Sequence, residues 1–240
     1  MSKKKIGKII SVIVMILCIC TLIYSVYKIF VWNQNNNKNK RLKKKTEEAI
    51  KINKEDKITV DFNSLKKQNH DTIAYLKVKG TNIDYVVVKG SDNNYYLNHS
   101  FDREYNESGW VFADYTNKFD DTDKNIIIYA HNTMDGSMFG SLKNVLESEW
   151  YNNEENHIIT LITEKGEYSY KVFSVYQIEA EDYYIQTTFP ANNFDKFINN
   201  LKERSIYDFK IKITSDDKIL TLSTCSITGK ERIVLHAKKV

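Results

Sequence analysis

One cysteine, five histidines and three arginines bound the chemistry open to the body of this chain, taken from residue 51 onward. Cys225 is its single thiol and ends the run Ile219-Leu220-Thr221-Leu222-Ser223-Thr224-Cys225. The thiolate is the reactive form of cysteine. A nucleophilic Cys225 therefore needs a neighbour that favours the anion and a partner that moves protons. Side chains alternate across a strand, so Ile219, Thr221, Ser223 and Cys225 share one face and Leu220, Leu222 and Thr224 the other. A second run opens at Arg232, with Arg232, Val234 and His236 on one face. A hairpin between the two runs, turning at Thr228-Gly229, can place Arg232 beside Cys225. A guanidinium there favours a thiolate and can bind an oxyanion. Arginine is scarce, since 31 of the 35 basic residues are lysine. On spacing alone, Arg232 reads equally well as a surface residue at a strand start.

The histidines are His70, His99, His131, His157 and His236. His131 is the first choice as proton carrier. It follows the apolar run Ile126-Ile127-Ile128-Tyr129-Ala130 and opens the polar loop Asn132-Thr133-Met134-Asp135-Gly136, the mouth of a core strand. His157 follows Glu154-Glu155 and reads as a surface residue. His236 lies further along the Arg232 strand. One cysteine and scattered histidines lack a zinc spacing, and the acidic stretch 114–123 lacks the EF-hand spacing and reads as a solvated loop. There is no Gly-rich phosphate loop and no G-x-S-x-G motif. The expectation is therefore no metal and no cofactor.

The elements that must position these residues are mostly strands. Residues 73–78, 83–89, 110–113, 125–130, 157–163, 168–178, 218–225 and 232–238 are rich in Ile, Val, Tyr and Phe. Residues 139–146 and 194–201 carry apolar side chains at helical spacing, and 62–69 reads as a further short helix. Residues 33–40 read as an Asn/Lys-rich linker and 41–53 as a charged surface helix. The pattern predicts a mainly β fold, a barrel of about eight strands with N-terminal and peripheral helices.

Charge separates the two ends of the chain. The 240 residues carry a net +4, but residues 1–50 hold 11 Lys/Arg against two Glu, and the remainder holds 24 basic against 29 acidic side chains. A basic end on a mildly acidic body argues against nucleic-acid binding, which places its basic patch on the folded domain. Residues 9–27 form 19 consecutive uncharged positions, about 28 Å as a helix, which matches the hydrocarbon thickness of a bilayer. Cys18 and Cys20 lie inside that run, leaving Cys225 without a disulfide partner. Tyr24-Ser25-Val26-Tyr27 is not a small-residue cleavage site, so the run reads as an uncleaved anchor. Both flanks are basic, and charge alone does not set its orientation. The expected organisation is an anchor over 1–32, a linker and N-terminal helix over 33–60, and a catalytic domain over 61–240.

Thr221-Leu222-Ser223-Thr224-Cys225 matches the T-L-x-T-C signature of sortases. These are membrane-anchored cysteine transpeptidases of Gram-positive bacteria, built on an eight-stranded barrel. Tyr129-Ala130-His131-Asn132, with Ser137-Met138-Phe139 after it, resembles the catalytic-histidine region of class B sortases. So do Asn69-His70-Asp71-Thr72-Ile73-Ala74-Tyr75-Leu76, Ile83-Asp84-Tyr85 and Asp92-Asn93-Asn94-Tyr95-Tyr96-Leu97. Arg232-Ile233-Val234-Leu235-His236-Ala237 resembles the family's last strand. The resemblance covers about residues 41–240.

It implies a catalytic trio of His131, Cys225 and Arg232, and a substrate groove including Asn93, Leu97, Tyr184, Ile185 and Ser223. The implied substrate is a surface protein bearing a C-terminal sorting motif of the Asn-Pro-x-Thr-x type. The implied acceptor is an amine of peptidoglycan, of its lipid-linked precursor or of a pilin. It also implies a cytoplasmic N-terminus and an extracellular domain. The sequence departs from the pattern at Ala130, where a Gly commonly precedes the histidine, at Val86, usually Pro, and at Ser226-Ile227, commonly an acidic-aromatic pair. These departures keep open a tethered binding module on a sortase-like barrel. An L,D-transpeptidase or papain-like peptidase carries other signatures around its cysteine.

Overall fold

The computed structural model describes residues 3–53, 57–120, 122–190, 193–225 and 231–240, with Cys225 described through its backbone. The chain divides into two compact units, Met1–Lys38 and Asn39–Val240. Helix α1 (Lys3–Glu47) makes up the first unit and enters the second. In the first unit its apolar side chains, among them Ile9, Leu17, Leu22 and Ile23, are exposed, and the helix is long and apolar enough to cross a membrane. Hydroxyls within it are satisfied locally, Thr21 Oγ1 donating to the Cys18 carbonyl and Ser25 Oγ to that of Thr21. The uncharged stretch over residues 9–27, with Thr21 and Ser25 bonded within the helix, suits a hydrocarbon surrounding.

Residues 33–40, expected as a linker, are helical and belong to α1. The physical reason lies partly in tertiary bonds that composition does not reveal. Asn39 is buried, donates to the Gly109 carbonyl at 3.1 Å and accepts from Asn106 Nδ2 at 3.0 Å. The helix expected over 41–53 ends at Glu47. Strands β1 (Ile50–Ile52) and β2 (Ile58–Val60) then pair antiparallel, as their Ile, Thr and Val content favours.

Helix α2 (Phe62–Gln68) is capped by Asp61, whose side chain accepts from the Ser64 amide, and it buries Phe62 and Leu65. Eight strands follow and close a barrel: β3 (Thr72–Val78), β4 (Asp84–Val88), β5 (Phe112–Ala113), β6 (Asn125–His131), β7 (Ile158–Thr163), β8 (Gly166–Glu179), β9 (Ile219–Cys225) and β10 (Glu231–Lys239). Their order around the barrel is β10-β8-β7-β3-β4-β5-β6-β9, parallel at β4/β5 and β6/β9 and antiparallel elsewhere. Each expected strand has its counterpart within a few residues.

Alternation along β9 and β10 sorts two cores. Leu220, Leu222, Ile233, Leu235 and Ala237 join the main barrel core with Leu76, Val86, Ile128, Leu161 and Val172. Ile219 and Val234, on the opposite face, join a second cluster with Phe173 and Tyr176. Helix α4 (Phe194–Glu203) covers that outer face through Phe194, Phe197, Ile198 and Leu201, at the spacing that the sequence displays. Residues 139–146 form not an α-helix but a 3-10 turn (Gly140–Leu146). Phe139, Leu142 and Val145 recur every three residues, which is the 3-10 repeat, and all three are buried. A short α3 (Ser148–Asn152) follows it. His157, expected at the surface, is buried against Trp150, Tyr151 and Phe209, and burial pushes its imidazole below the ordinary value.

Candidate active site

The register places three of the expected residues on one rung. In the parallel β6/β9 pair His131 lies opposite Cys225, and in the antiparallel β9/β10 pair Arg232 lies opposite the same Cys225. Adjacent strands sit about 4.8 Å apart, so the three backbones are neighbours across the sheet. His131 shares its face of β6 with Tyr129, and Arg232 its face of β10 with Val234 and His236. The Thr228-Gly229 turn and the Ser226-Ile227 pair lie outside the described residues.

His131 is half-buried, and its Nε2 lies 2.7 Å from the Leu97 carbonyl oxygen. A carbonyl only accepts, so Nε2 carries a proton and Nδ1 is the second, exchangeable position. Leu97 ends a 3-10 turn (Tyr95–Leu97) whose position is fixed from several sides. Asp92 accepts from the amides of Asn94 and Tyr95, which holds its carboxyl below the usual range. The buried Tyr96 hydroxyl donates to Asp71 at 2.6 Å and accepts from Asn69 Nδ2 at 2.9 Å. Gly109 has φ +56°, and a Cβ there would sit 2.5 Å from the Tyr96 carbonyl oxygen and 2.7 Å from that of Leu97. Only glycine allows this approach. On the other side of the histidine, the His131 carbonyl accepts from the Phe139 amide at 3.0 Å, which ties the strand end to the 3-10 turn behind it.

Beside the rung opens a cavity of about 210 Å³. Asn93 and Leu97 line it from the turn, Phe112 from β5, Tyr129 and Ala130 from β6, Ser223 and Thr224 from β9, Arg232 from β10, and Ile185 from the loop after β8. Of the five groove residues expected, Asn93, Leu97, Ile185 and Ser223 border this space. Tyr184 does not. It is fully buried, and its hydroxyl bonds Ser223 Oγ at 2.9 Å from behind. Phe112, Tyr129, Ala130 and Thr224 were not anticipated there. Tyr129 was accessible to reasoning, since it stands two residues before His131 on the same face.

The loop carrying Ile185 is pinned by polar bonds. Asn125 Nδ2 donates to the Gln186 carbonyl at 2.9 Å, and Thr116 Oγ1 meets Thr187 Oγ1 at 2.8 Å. Beneath it His236 is fully buried and bonded at both nitrogens, to Thr221 Oγ1 and to the Tyr176 hydroxyl, each at 2.9 Å. Burial pushes its imidazole down to about 3, so His236 is a neutral structural residue.

A closed eight-stranded barrel with His, Cys and Arg on adjoining strands beside a groove is the arrangement that the sortase resemblance implies. The Sortase domain family matches residues 76–240, and the chain belongs to the sortase family. Within that family it resembles the class B members. It is 30% identical over 233 residues to Sortase B of Staphylococcus aureus (strain NCTC 8325 / PS 47), covering 94% of this chain and 95% of the relative. It is similar to a crystal structure of sortase B from B. anthracis in complex with AAEK1, with 29% identity and a TM-score of 0.77 over 86% of this chain and 98% of the other. It is similar also to a Staphylococcus aureus sortase B–substrate complex, with 34% identity and a TM-score of 0.69 over 75% of this chain and 84% of the other.

Proposed function

We propose that this sortase cleaves a C-terminal sorting motif after its Thr and joins the new carboxyl end to an amine, with Cys225 as nucleophile, His131 as proton carrier and Arg232 as oxyanion or carbonyl ligand. The observation that carries the reading is the common rung, His131 and Arg232 each opposite Cys225 in register. The Cys225 thiolate attacks the Thr carbonyl carbon, and Arg232 balances the charge that develops on oxygen. The C–N bond breaks, the leaving amine takes a proton from His131, and a thioester remains on Cys225. An incoming amine attacks the thioester, gives its proton to His131 and releases the thiolate. Because Leu97 holds the Nε2 proton, Nδ1 is the nitrogen that gives up and regains the proton in this cycle.

The substrate is a surface protein with a sorting motif of the Asn-Pro-x-Thr-x type, bound over Asn93, Leu97, Ile185 and Ser223. The resolving amine belongs to peptidoglycan, its lipid-linked precursor or a pilin. The apolar part of α1 anchors the enzyme in the cell membrane with its N-terminus cytoplasmic and its barrel outside. The exposed basic residues Arg41, Lys44 and Lys45 that follow the apolar run meet anionic surface groups, each worth about 1 kcal/mol when close to the surface, while Lys40 pairs with Asp135 and Lys43 with Glu47. The test is cleavage of a fluorogenic peptide of that motif by the full-length chain in detergent micelles. Wild type is expected to cleave it and Cys225→Ala to be inactive. Equal cleavage by both overturns the reading.

A further inference from the structure

Asp114 follows β5 directly and is only 4% exposed, yet none of its bonds is to a cation among those described. All four partners are neutral donors. Oδ2 accepts from Asn93 Nδ2 and from the Tyr129 hydroxyl, each at 2.8 Å. Oδ1 accepts from the Thr116 amide at 2.9 Å and from Thr116 Oγ1 at 2.6 Å. A buried carboxylate is costly unless its lone pairs are filled, and here four donors fill them. Two of those donors, Asn93 and Tyr129, border the cavity beside the rung; Asp114 does not.

The consequence for Asn93 is directional. Its Oδ1 accepts from the Tyr115 amide at 3.0 Å, and its Nδ2 donates to Asp114. A backbone N–H cannot accept and a carboxylate cannot donate, so the side-chain amide is fixed in one of its two flips. The reverse flip would set two donors against each other at Tyr115 and two acceptors at Asp114. Among the described residues the second Nδ2 hydrogen has no protein acceptor, which leaves it for the groove. The Tyr129 proton is likewise committed to Asp114, and burial with that carboxylate holds the phenol well above its ordinary value. Tyr129 can therefore offer the groove only oxygen lone pairs.

We infer that Asp114 is a positioning residue for substrate recognition: it locks Asn93 so that the groove presents one amide N–H, the complement of a carbonyl oxygen on the bound peptide chain. The inference rests on the groove reading above and adds a residue outside the groove that sets its hydrogen-bond polarity. An Asn at 114 cannot do the same. With its NH2 toward Thr116 it would oppose a backbone N–H that cannot accept, whereas the Tyr129 hydroxyl can rotate and the Asn93 amide can flip to accept it, so the NH2 turns toward those two and Asn93 is released from its lock.

The test is a double-mutant cycle on the full-length chain in detergent, with Cys225→Ala as the blank. Asp114→Asn is expected to lower kcat/KM by about tenfold, mainly through KM, and by less than about twofold in an Asn93→Ala background. A wild-type value, or the same loss in both backgrounds, overturns the inference while leaving the Cys225 reading intact. If Asp114→Asn does not fold, Thr116→Val removes one anchor of the carboxylate from its far side. Its expected loss of about threefold must also vanish with Asn93→Ala, and an equal loss in both overturns the inference. A readout independent of turnover is the side-chain amide of Asn93 in an Asn-labelled NMR spectrum, assigned by its disappearance in Asn93→Ala. A resonance shifted and protected in wild type but averaged in Asp114→Asn supports the lock even if the peptide is not cleaved. An averaged resonance in wild type overturns it.

Discussion

Two histidines on the same sheet, in β6 and β10, have opposite surroundings. His131 ends its strand half-buried, with one ring nitrogen bonded to a backbone carbonyl and the rung open to the cavity beside it. His236 stands further along the sheet among the rings of Phe173, Tyr176 and Tyr184, sealed from solvent and bonded at both nitrogens. Its bonds form a one-way chain. Tyr183 donates to Tyr176, Tyr176 to His236 Nε2, His236 Nδ1 to Thr221, Thr221 to Asn125 Oδ1, and Asn125 Nδ2 to the Gln186 carbonyl. The chain starts and finishes in the loop that holds Ile185 against the groove. Direction is forced, because Thr221 has a single proton and spends it on Asn125, so His236 must donate at Nδ1 and accept at Nε2. A histidine enclosed in such a chain cannot exchange a proton without breaking it. One with a single committed nitrogen can. Residue type is the same; enclosure decides which of the two is able to carry chemistry and which serves structure.

Removing each side chain should therefore damage different properties. His131→Ala is expected to lower kcat for the sorting peptide by about a thousandfold, the scale of a lost general acid–base. Its melting temperature should stay within about 2 °C, since the orphaned Leu97 carbonyl can be hydrated. His236→Ala should do the reverse. It leaves a cavity and strips partners from Thr221 and Tyr176, at about 3 kcal/mol together, or roughly 6–12 °C for a domain of this size. Its kcat per folded molecule should stay within about threefold, because no member of the chain lines the cavity. Calorimetry and peptide cleavage on the same preparations decide both. A His236 variant that keeps its stability but loses kcat would break the comparison.

Half of this contrast was legible in the sequence. The strand that ends in His131 and the alternation that sets Ser223 and Thr221 on one face of β9 follow from apolar patterning, and so does the barrel they build. Position at a strand mouth also separated His131 from His236. What could not be read is pairing across long separations. That His131 meets the Leu97 carbonyl, that Asn39 meets Gly109, and that Asp114 gathers Asn93 with Tyr129 depend on register and loop closure. Local composition carries no record of either. Tyr184 shows the limit from the other side. It was expected in the groove beside Ile185, but the loop turns its ring inward, where Ser223 takes its hydroxyl.

The titration of His236 offers a smaller test. Its folded-state value, pushed down to about 3, lies below the ordinary 6.5, so between those limits the unfolded chain binds a proton that the folded chain does not. Stability is then full above pH 6.5 and falls with acid at up to about 1.4 kcal/mol per pH unit. Between pH 6.5 and 5 this term should be visible in denaturant melts and should flatten in His236→Gln. The lowered values of Asp135 and Asp217 act only nearer the carboxylate range, and burial of His157 adds a slope that the variant retains. An unchanged slope in His236→Gln would mean that His236 is hydrated rather than enclosed.

The smallest effects mark where enclosure ends. Ser223 lies between the two histidine environments, at the floor of the cavity, and Tyr184 lies wholly behind it. Their one hydrogen bond is symmetric in geometry but not in surroundings. Ser223→Ala removes a partner of a phenol hydroxyl where water does not reach to replace it, at about 1–2 kcal/mol. Tyr184→Phe leaves a serine hydroxyl at a cavity wall, where water can replace the lost partner, so it should cost less than about 1 kcal/mol. Denaturant melts of the two single variants and of the double variant measure the difference. If Tyr184→Phe is the costlier change, the boundary between the sealed and the open part of the sheet lies nearer the rung than Ser223, and His131 is more enclosed than its one bonded nitrogen implies.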